Sequence, residues 1–599
     1  MNYHRKAVAI ALCSALIGQS LPVQAFERDE AHAPRTPIEH VIVVIGENHT
    51  FDNIFGAYQP PHGQHIDNLL AKDIINADGT PGKNFARASQ QQATDNDVYR
   101  LDPLHNGPFA TLPQPNTTYA TGQPPNVPDA RFPADLPNGP FQITRYVAYN
   151  AYVGDPVHRF FQMWQQYDKG RADLIPWVAT TASIGPSNDG FSPTPTQPNQ
   201  GGESMGFYNM SSGDAPDFQA LARQYAISDN YHQAIMGGTG ANFLALVTAD
   251  VAVYNNNGTP QVPPSNQIEN PNPQPGYNNW YTEDGYRGGS YVNCADINQP
   301  GVAAIRNYLD TLPYRAFNDG NCTADSYYLV NNYNLGYNYA GVPAPLGPTH
   351  FILPPQTIPT IADALSARNV SWKYYSGGRV LNGAPTSEYC SICDPLTGFT
   401  SIMTSALKNN LQGVEQFYQD VASGSLPAVA YVRPYESQAG HPANATIAGY
   451  EHFVMDLIAK VKANPTLWAH TAIFITTDEG GGYYDSGYIQ PVDFFGDGTR
   501  IPLIAVSAYA KPGYVDHTYY DHASIIKFIE KNWRLKTLSA RSRDNLPNPV
   551  MRHRNPYVPV NAPAVGDLMS LFNFDRFEDR HEDRNEDKAE SPQNDADLH

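Results

Sequence analysis

Three short apolar runs constrain the fold of this 599-residue chain more than any other feature. They are residues 40–45 (HVIVVI), 471–476 (TAIFIT) and 501–506 (IPLIAV). Runs of this length that are rich in β-branched residues are typical of parallel strands buried on both faces. Helical patterns separate or follow them at residues 216–225, 358–367, 447–463 and 522–533. The alternation predicts an α/β domain with a mostly parallel central sheet.

Two long stretches rich in Pro, Gly and Asn interrupt this pattern, at about residues 84–140 and 255–348. Connections of this length are uncommon in a compact domain unless they carry function or form a subdomain. Because the predicted strands come from both ends of the chain, we interpret both stretches as loop-rich insertions. The sequence therefore predicts one domain over residues 26–574.

The two ends of the chain differ in composition from this domain. Arg5 and Lys6 precede an apolar run, and Val23 and Ala25 place small residues before a cleavage point, so residues 1–25 resemble a secretory signal. The run is shorter than the roughly 20 residues that a spanning helix needs. Asp, Glu and Arg dominate residues 575–599, which are expected to be disordered. We expect a periplasmic or secreted protein without a stable membrane anchor.

The cysteines fit an oxidising compartment. Cys13 leaves with the signal, and the remaining even number favours disulfides. Among three connectivities we prefer the local one, Cys294 with Cys322 and Cys390 with Cys393. A zinc site and a redox-active Cys-x-x-Cys remain alternatives at this stage.

The net charge of −20 argues against one class of partner. A protein that binds nucleic acid needs a basic face for the phosphate backbone, and a pI near 5.2 does not provide one. We therefore expect no nucleic-acid partner. The oligomeric state does not follow from the sequence.

Oxygen-bearing side chains follow two of the predicted strands. Glu47 and Asn48 come after the first run, and Asp478 and Glu479 come after the second. Ligands in open α/β sheets lie outside the carboxyl ends of the strands. Carboxylates buried side by side repel each other unless a cation or protons neutralise them. Either pair alone fits a turn or a helix cap, but both together predict a divalent metal site.

A third motif, MGGTGAN at residues 236–242, precedes an apolar helical run at residues 243–253. Its glycines allow a tight turn that would place Thr239 at a helix N-terminus, where free N–H groups and the helix dipole favour phosphate. A hydroxyl beside a metal there can attack phosphorus. The alternative is that Thr239 is only a helix cap.

Taken in order, the motifs of the chain resemble those of the bacterial phosphoesterase family. The motifs are Glu47-Asn48, Phe51-Asp52-Asn53-Ile54-Phe55-Gly56, Met205-Gly206-Phe207-Tyr208, Asp229-Asn230-Tyr231, Gly238-Thr239-Gly240-Ala241-Asn242, Asp478-Glu479-Gly480-Gly481 and Tyr520-Asp521-His522-Ala523-Ser524. The family comprises non-specific phospholipases C and acid phosphatases of the respiratory-burst-inhibiting type, within the alkaline-phosphatase-like superfamily. The resemblance runs from about residue 38 to residue 533. It implies a three-layer sandwich around the parallel sheet.

The resemblance also implies roles for individual residues. Thr239 would be the nucleophile. One divalent ion, with Ca²⁺, Mg²⁺ or Mn²⁺ favoured by oxygen ligands, would be held by Glu47, Asn48, Thr239, Asp478 and Glu479. Histidines that contact the phosphoryl group or protonate the leaving group are matched best by His441 and then by His350. For His522 a structural role is equally expected, and His158 and His232 are interpreted as satisfied loop or core histidines.

Two departures from the family pattern bear on the substrate. The phospholipase branch usually has Pro-Asn-Arg after the nucleophile, where this chain has Ala241-Asn242-Phe243, and a His where this chain has Gly480. We therefore expect first an acid phosphatase that hydrolyses phosphate monoesters through a phosphothreonine. A phospholipase C that cleaves phospholipid head groups is the second hypothesis. A non-catalytic exported binding protein on the same scaffold is the third.

Overall fold

An eight-stranded sheet forms the centre of the protein in a computed structural model that describes residues 33–118, 120–125, 127–181, 201–273, 288–381 and 383–575. The predicted signal segment and all but the first residue of the predicted tail lie outside these residues. In chain order the strands are β1 (His40–Gly46), β2 (Ala226–Ser228), β3 (Trp372–Ser376), β4 (Leu411–Gly413), β5 (Val429–Arg433), β6 (Thr471–Thr477), β7 (Leu503–Ser507) and β8 (Val515–Asp516).

The order of the strands in the sheet is β4-β3-β5-β1-β6-β7-β2-β8. Neighbours are parallel except at β7, which is antiparallel to both β6 and β2. The prediction of a mostly parallel sheet is therefore confirmed, whereas the prediction that the third apolar run is parallel is wrong. The reason is that an apolar run reports burial on both faces, and all five residues of β7 are buried, but it carries no information on direction.

Helices cover both faces of the sheet. Ile42 and Val44 of β1 pack into one apolar cluster, and Val41 and Val43 pack into another, as the two-residue period of a strand requires. The α-helices of five or more residues are α1 (Phe51–Phe55), α2 (Phe160–Tyr167), α3 (Ile175–Thr181), α4 (Pro216–Gln224), α5 (Thr239–Thr248), α6 (Val302–Leu309), α7 (Ile361–Ala367), α8 (Val414–Ser423), α9 (Ile447–Lys462) and α10 (Ala523–Trp533). Two helical layers around a sheet confirm the predicted three-layer α/β class.

The helix starts follow local capping. The predicted helix at residue 358 begins at Ile361, because Thr360 and Asp363 form a reciprocal capping box there. Helix α5 begins at Thr239, four residues before the apolar pattern, since Gly238 is its N-cap. Both differences arise because hydrophobic periodicity marks the buried face of a helix and not its first turn.

Outside the sheet, the described chain is built from short strand pairs and long connections. The pairs are Gln91–Thr94 with Leu104–Pro108, Phe141–Gln142 with Gly206–Phe207, Tyr231–His232 with Tyr520–Asp521, Asn255–Asn256 with Thr259–Pro260, Tyr291–Val292 with Tyr328–Leu329, and Met551–Arg552 with Asn555–Pro559. Both predicted disulfides are present, Cys294–Cys322 and Cys390–Cys393. Among the described residues, no helix combines the length and apolar character needed to cross a membrane.

One buried carboxyl fastens the first long connection to the rest of the fold. Glu203 is 6% exposed, and its Oε2 accepts a hydrogen bond from the Asn116 backbone N–H at 2.7 Å. Burial outweighs this bond and raises the pKa of Glu203 to about 8. The folded protein therefore retains a proton on Glu203 at neutral pH.

This raised pKa predicts a specific pH dependence of stability. Below pH 4.5, the pKa of the unfolded chain, the Glu203 carboxyl is neutral in both states. Between pH 4.5 and about pH 8 only the unfolded chain ionises. The free energy of unfolding therefore falls by about 1.4 kcal/mol per pH unit in this range. Glu203→Gln removes this loss. We expect the stability difference between variant and wild type, measured by urea unfolding, to grow in favour of the variant from pH 5 to pH 8. Parallel pH profiles would contradict the assignment.

Candidate active site

The two predicted acidic turns lie side by side at the carboxyl edge of the sheet. Strands β1 and β6 pair in register, with Gly46 opposite Thr477. The turns that follow are hydrogen-bonded to each other: the Asp478 N–H donates to the Gly46 carbonyl at 3.0 Å, and the Asn48 N–H donates to Asp478 Oδ1 at 3.3 Å. The structure thus brings Glu47, Asn48, Asp478 and Glu479 to one place.

The backbone of these turns is unusual. Asn48 has φ of 65°, in the left-handed region that residues other than glycine rarely adopt. Gly481 packs directly on it, and a Cβ at position 481 would lie 2.7 Å from Asn48 Cβ. Glycine is therefore required at 481. Strained backbone of this kind concentrates at functional sites, where the surrounding structure enforces it.

Thr239 joins the acidic turns from a third element. It is the first residue of α5, it is buried, and its Oγ1 donates a hydrogen bond to Glu479 Oε1 at 3.0 Å. The interpretation of Thr239 as a simple helix cap does not hold, because Gly238 is the N-cap. The hydroxyl instead lies between a helix N-terminus and a carboxylate.

Two asparagines fix the loop that presents Thr239. The Asn242 amide donates to the carbonyls of Ile235 and Gly237 at 3.1 and 3.0 Å, and its Oδ1 accepts from the Ile235 N–H at 3.0 Å. Asn332 Oδ1 accepts from the Gly240 N–H at 2.7 Å. These contacts hold the turn before α5 from both sides, so the position of Thr239 is preset by the fold.

Both departures from the phospholipase pattern are accommodated by packing. Phe243, where that branch carries Arg, is fully buried in an apolar cluster. A Cβ at Gly480 would lie 2.3 Å from Thr499 Oγ1 and 2.7 Å from Thr50 Cγ2, so a histidine there would require these side chains to move. The region behind Thr239 is therefore closed by apolar packing, with no positive charge at position 243.

The acidic side chains carry more negative charge than their neighbours neutralise. Within the described residues, the buried atoms Asn48 Oδ1, Asp478 Oδ2 and Glu479 Oε2 have no hydrogen-bond partner. Burial, and then the charge of Glu47, raises the pKa of Asp478 well above its ordinary value; burial, and then Asp478, does the same to the pKa of Glu479. Unpaired buried oxygens with this charge fit a divalent cation, because a cation would stabilise both ionised carboxylates at once.

Glu47 has a partner that the sequence did not reveal. Arg433, the last residue of β5 and fully buried, donates from Nη2 to Glu47 Oε1 and to Glu436 Oε2, the latter at 2.6 Å. Burial lowers and the two carboxylates raise the pKa of Arg433, and the carboxylates prevail. The guanidinium neutralises and orients Glu47 and makes no described contact with Asp478 or Glu479.

His441 faces the site from the loop after β5. Its Nε2 lies 3.9 Å from Glu47 Oε2. Burial lowers the pKa of His441, but the charges of Asp155, Glu47 and Glu436 outweigh it and raise the pKa to about 9. A protonated imidazole is therefore available beside Glu47.

Asp155 and His158 lie beside the acidic turns, although the sequence analysis did not place them there. His158 Nε2 lies 3.5 Å from Asn48 Nδ2 and 3.8 Å from Glu479 Oε1, and its Nδ1 lies 2.6 Å from the Pro156 carbonyl. Asp155 Oδ1 lies 3.7 Å from His158 Nδ1. His158 is thus a loop histidine, as interpreted from the sequence, but its ring also reaches the acidic turns, which was not predicted. The only signal in the sequence was an Asp and a His three residues apart.

The other candidate histidines lie elsewhere. His350 is exposed, and its described side-chain contact is with Thr349. His522 is buried at the start of α10, and burial lowers its pKa to about 3. His232 is a satisfied core histidine that bonds to Gly498 and Asn230 and stacks on Tyr519. No described contact joins His350 to Thr239 or to the acidic turns.

A sequence profile of the Phosphoesterase family matches residues 38–536. The match covers most of the chain, and the protein therefore belongs to the Phosphoesterase family. The resemblance inferred from the ordered motifs is thereby confirmed. The sequence predicts a hydrolase of phosphate ester bonds. This prediction is confirmed, because the family and its named relatives belong to that class.

Named relatives include both kinds of enzyme expected from the sequence. Over 258 residues the chain is 25% identical to the haemolytic phospholipase C of Pseudomonas aeruginosa, covering 36% of this chain and 33% of that protein. It is 22% identical to phospholipase C B of Mycobacterium tuberculosis, covering 96% of this chain and 85% of the relative. It is 28% identical to the phosphate-repressible acid phosphatase of Penicillium chrysogenum, covering 31% and 45%. The match to the first of these thus spans about a third of that relative's length.

Among solved structures, a protein of the alkaline phosphatase superfamily from Vibrio parahaemolyticus matches with a TM-score of 0.26 and 10% identity. The match covers 55% of this chain and 63% of that protein. A similarity this low adds nothing to the description of the site.

The crowding of unpaired carboxylates predicts how the fold responds to metal. Asp478→Asn keeps Oδ1 for the two backbone N–H bonds it accepts and removes one charge. In chelator at neutral pH, we expect the variant to unfold at a higher temperature than the wild type, because repulsion is relieved. With Mn²⁺ or Ca²⁺ at a hundred times its dissociation constant, the wild type should gain about 2.7 kcal/mol.

Thermal unfolding with and without each ion measures both effects. The variant should gain much less from the ion than the wild type. Equal stabilisation of the two proteins by metal would place the cation away from Asp478. If no divalent ion raised the unfolding temperature of the wild type, the prediction of a metal site at this edge of the sheet would be wrong.

Proposed function

We propose that this protein is a metal-dependent phosphoesterase that hydrolyses phosphate monoesters with Thr239 as its nucleophile. One observation carries the proposal: Thr239 Oγ1 donates to Glu479 Oε1 at 3.0 Å at the N-terminus of α5, beside three buried oxygens that lack partners among the described residues. A hydroxyl, a helix N-terminus and the proposed cation site would then lie together, as phosphoryl transfer requires.

Glu47, Asn48, Asp478 and Glu479, together with Thr239, would hold one divalent ion. Their donor atoms are oxygens, which favour Ca²⁺, Mg²⁺ or Mn²⁺ over a thiophilic metal. When bound, the ion would act as a Lewis acid that neutralises phosphoryl oxygens and lowers the pKa of a nearby hydroxyl. Glu479 can serve two purposes, because its Oε1 contacts Thr239 while its Oε2 is unpaired.

Thr239 begins the reaction. Its hydroxyl proton passes to Glu479 Oε1, the acceptor of its hydrogen bond, and Oγ1 forms a bond to phosphorus as the ester P–O bond breaks. The product of this step is a phosphothreonine and a departing alkoxide. The N-terminal turn of α5 stabilises the transferred phosphoryl group through its dipole.

His441 completes the first step and enables the second. It faces the same site, 3.9 Å from Glu47, and donates the proton that the departing alkoxide takes up. A water molecule then attacks the phosphothreonine, giving its proton to the neutral imidazole, while Thr239 Oγ1 leaves and regains its proton from Glu479. His158, 3.8 Å from Glu479 Oε1, would orient the phosphoryl oxygens, and the charge of Asp155 would help to orient the imidazole of His441.

A phospholipase C activity on phospholipid head groups is the second candidate. It is favoured by the relative named phospholipase C B, which aligns with nearly the whole chain. The phospholipase branch carries Arg where this chain has the buried Phe243, and this difference favours hydrolysis of phosphate monoesters. Export to the periplasm or the medium stays a prediction, since the signal segment lies outside the described residues.

Replacing the nucleophile tests the proposal directly. We expect Thr239→Ala to lower kcat by about a thousandfold or more, because no other hydroxyl donates to Glu479 Oε1 in the described residues, and Thr239→Ser to retain activity. Phosphate release from p-nitrophenyl phosphate and from p-nitrophenyl phosphorylcholine measures the effect and separates the two substrate classes. Acid-quenched labelling should trap a phosphoprotein in the wild type and in Thr239→Ser, and none in Thr239→Ala.

Three results would contradict this assignment. Near-wild-type turnover by Thr239→Ala would exclude Thr239 as the nucleophile. Cleavage of the phosphorylcholine diester alone would replace the monoester proposal with the phospholipase one. No turnover of either substrate by a metal-loaded, folded wild type would leave the binding-protein hypothesis.

The proton donor can be tested by comparing two histidines. His441→Asn should slow hydrolysis of an alkyl phosphate, whose leaving group needs a proton, by about a hundredfold or more, but slow p-nitrophenyl phosphate much less. His350→Asn is the matched control, because His350 is exposed and outside the site. Equal losses on both substrates in His441→Asn, or a selective loss in His350→Asn, would reverse the assignment.

A further inference from the structure

A disulfide lies directly against one of the proposed metal ligands. Cys393 Sγ is 3.1 Å from Glu47 Oε1. One oxygen of Glu47 and the two sulfurs of Cys390 and Cys393 all lie within 4.8 Å of one another. The sulfurs are bonded to each other in this state and are not thiolates. Reduction would convert the same three atoms into a possible metal-binding set.

Contacts other than the disulfide hold this segment in place. The Tyr374 hydroxyl donates to the Cys393 carbonyl at 2.6 Å. The next residue, Asp394, forms a buried ion pair with Arg379 and accepts a hydrogen bond from the Tyr389 hydroxyl at 3.0 Å. Because these contacts flank the two cysteines on both sides, breaking the S–S bond leaves both sulfurs within reach of Glu47.

The disulfide is accessible from one side only. Cys390 is partly exposed and Ser391 is exposed, whereas Cys393 is fully buried. A dithiol reductant, either a small dithiol or a protein of the thioredoxin class, can attack Cys390 Sγ and form a mixed disulfide, and Cys393 leaves as a thiolate that takes up a proton. The second thiol of the reductant then releases Cys390, so that two electrons pass to the protein and the reductant becomes a disulfide.

We propose that the reduced pair Cys390 and Cys393, together with Glu47, forms a second metal site that binds a thiophilic divalent ion such as Zn²⁺. Two thiolates and one carboxylate are three ligands of a tetrahedral zinc site, and a water molecule would complete it. The hard ion of the proposed catalytic site uses oxygen ligands, so the two sites differ in chemistry but share Glu47. Binding of the soft ion would occupy an oxygen of Glu47 and so compete with the proposed catalytic ion for this carboxylate.

This site has a functional consequence that rests on the proposed function. The oxidised protein keeps Glu47 available to the catalytic edge, and a reducing, zinc-containing environment withdraws it. The disulfide would then act as a redox-dependent inhibitory switch for the phosphoesterase. The binding itself does not depend on turnover and can be measured without substrate.

Cd²⁺ is a suitable probe, because thiolate ligation of Cd²⁺ gives an ultraviolet charge-transfer absorption. Cys294→Ser/Cys322→Ser serves as the parent protein, since it retains only the disulfide in question among the described cysteines. The parent is reduced with a dithiol, freed of reductant without oxygen, and titrated with Cd²⁺ beside the oxidised parent. We expect the absorption to saturate at one Cd²⁺ per reduced chain and to be absent from the oxidised chain.

Two variants of the parent locate the site. Adding Cys390→Ser/Cys393→Ser should abolish the absorption, and adding Glu47→Gln should weaken Cd²⁺ binding by at least about tenfold. No absorption in the reduced parent, or undiminished affinity in Glu47→Gln, would overturn the proposal. Loss of the near-ultraviolet circular dichroism on reduction would also overturn it, because the sulfurs would no longer be held at Glu47. None of these results depends on the phosphatase assays.

Discussion

The in-register pairing of β1 with β6 is the constraint on which the rest of the site depends. Gly46 and Thr477 are the last paired residues, so the two acidic turns begin at the same level of the sheet. Hydrophobic burial on both faces holds the strands in this register, because a shift by one residue would exchange the two faces of each strand. The energy of the apolar core thus enforces the proximity of carboxylates that would otherwise separate.

The charges at this edge are compensated unevenly. Arg433 forms a buried ion pair with Glu47, whereas Asp478 and Glu479 have raised pKa values and unpaired oxygens. A fold that needed only stability would pair or remove such groups, since unpaired buried charge is strongly destabilising. Their placement beside a threonine hydroxyl is intelligible as preorganisation for a cation and a phosphoryl group, whose binding would compensate for the repulsion.

How far the sequence predicts this protein depends on whether the information is local. Strands β1 and β6, the start of α5 near Thr239 and both disulfides were predictable, because apolar runs, glycine turns and cysteine spacing are local signals. The antiparallel direction of β7 was not, since pairing is decided by distant partners. Arg433 and His158 were missed for the same reason. Arg433 contacts Glu47, which lies 386 residues away in the chain, and His158 contacts Asn48, which lies 110 residues away.

The candidate site has two parts with different origins. Glu47, Asn48, Asp478 and Glu479 are fixed by the sheet, whereas His158 and His441 come from two loops outside it. Asp155 connects the loops electrostatically, because it lies 3.7 Å from His158 and is the strongest of the charges that raise the pKa of His441. Groups that a scaffold holds rigidly suit the invariant part of a reaction, and groups on loops suit its variable part. We therefore infer that the sheet edge provides phosphoryl chemistry common to monoester and diester substrates, while the loops that bear the histidines decide which leaving group is accepted.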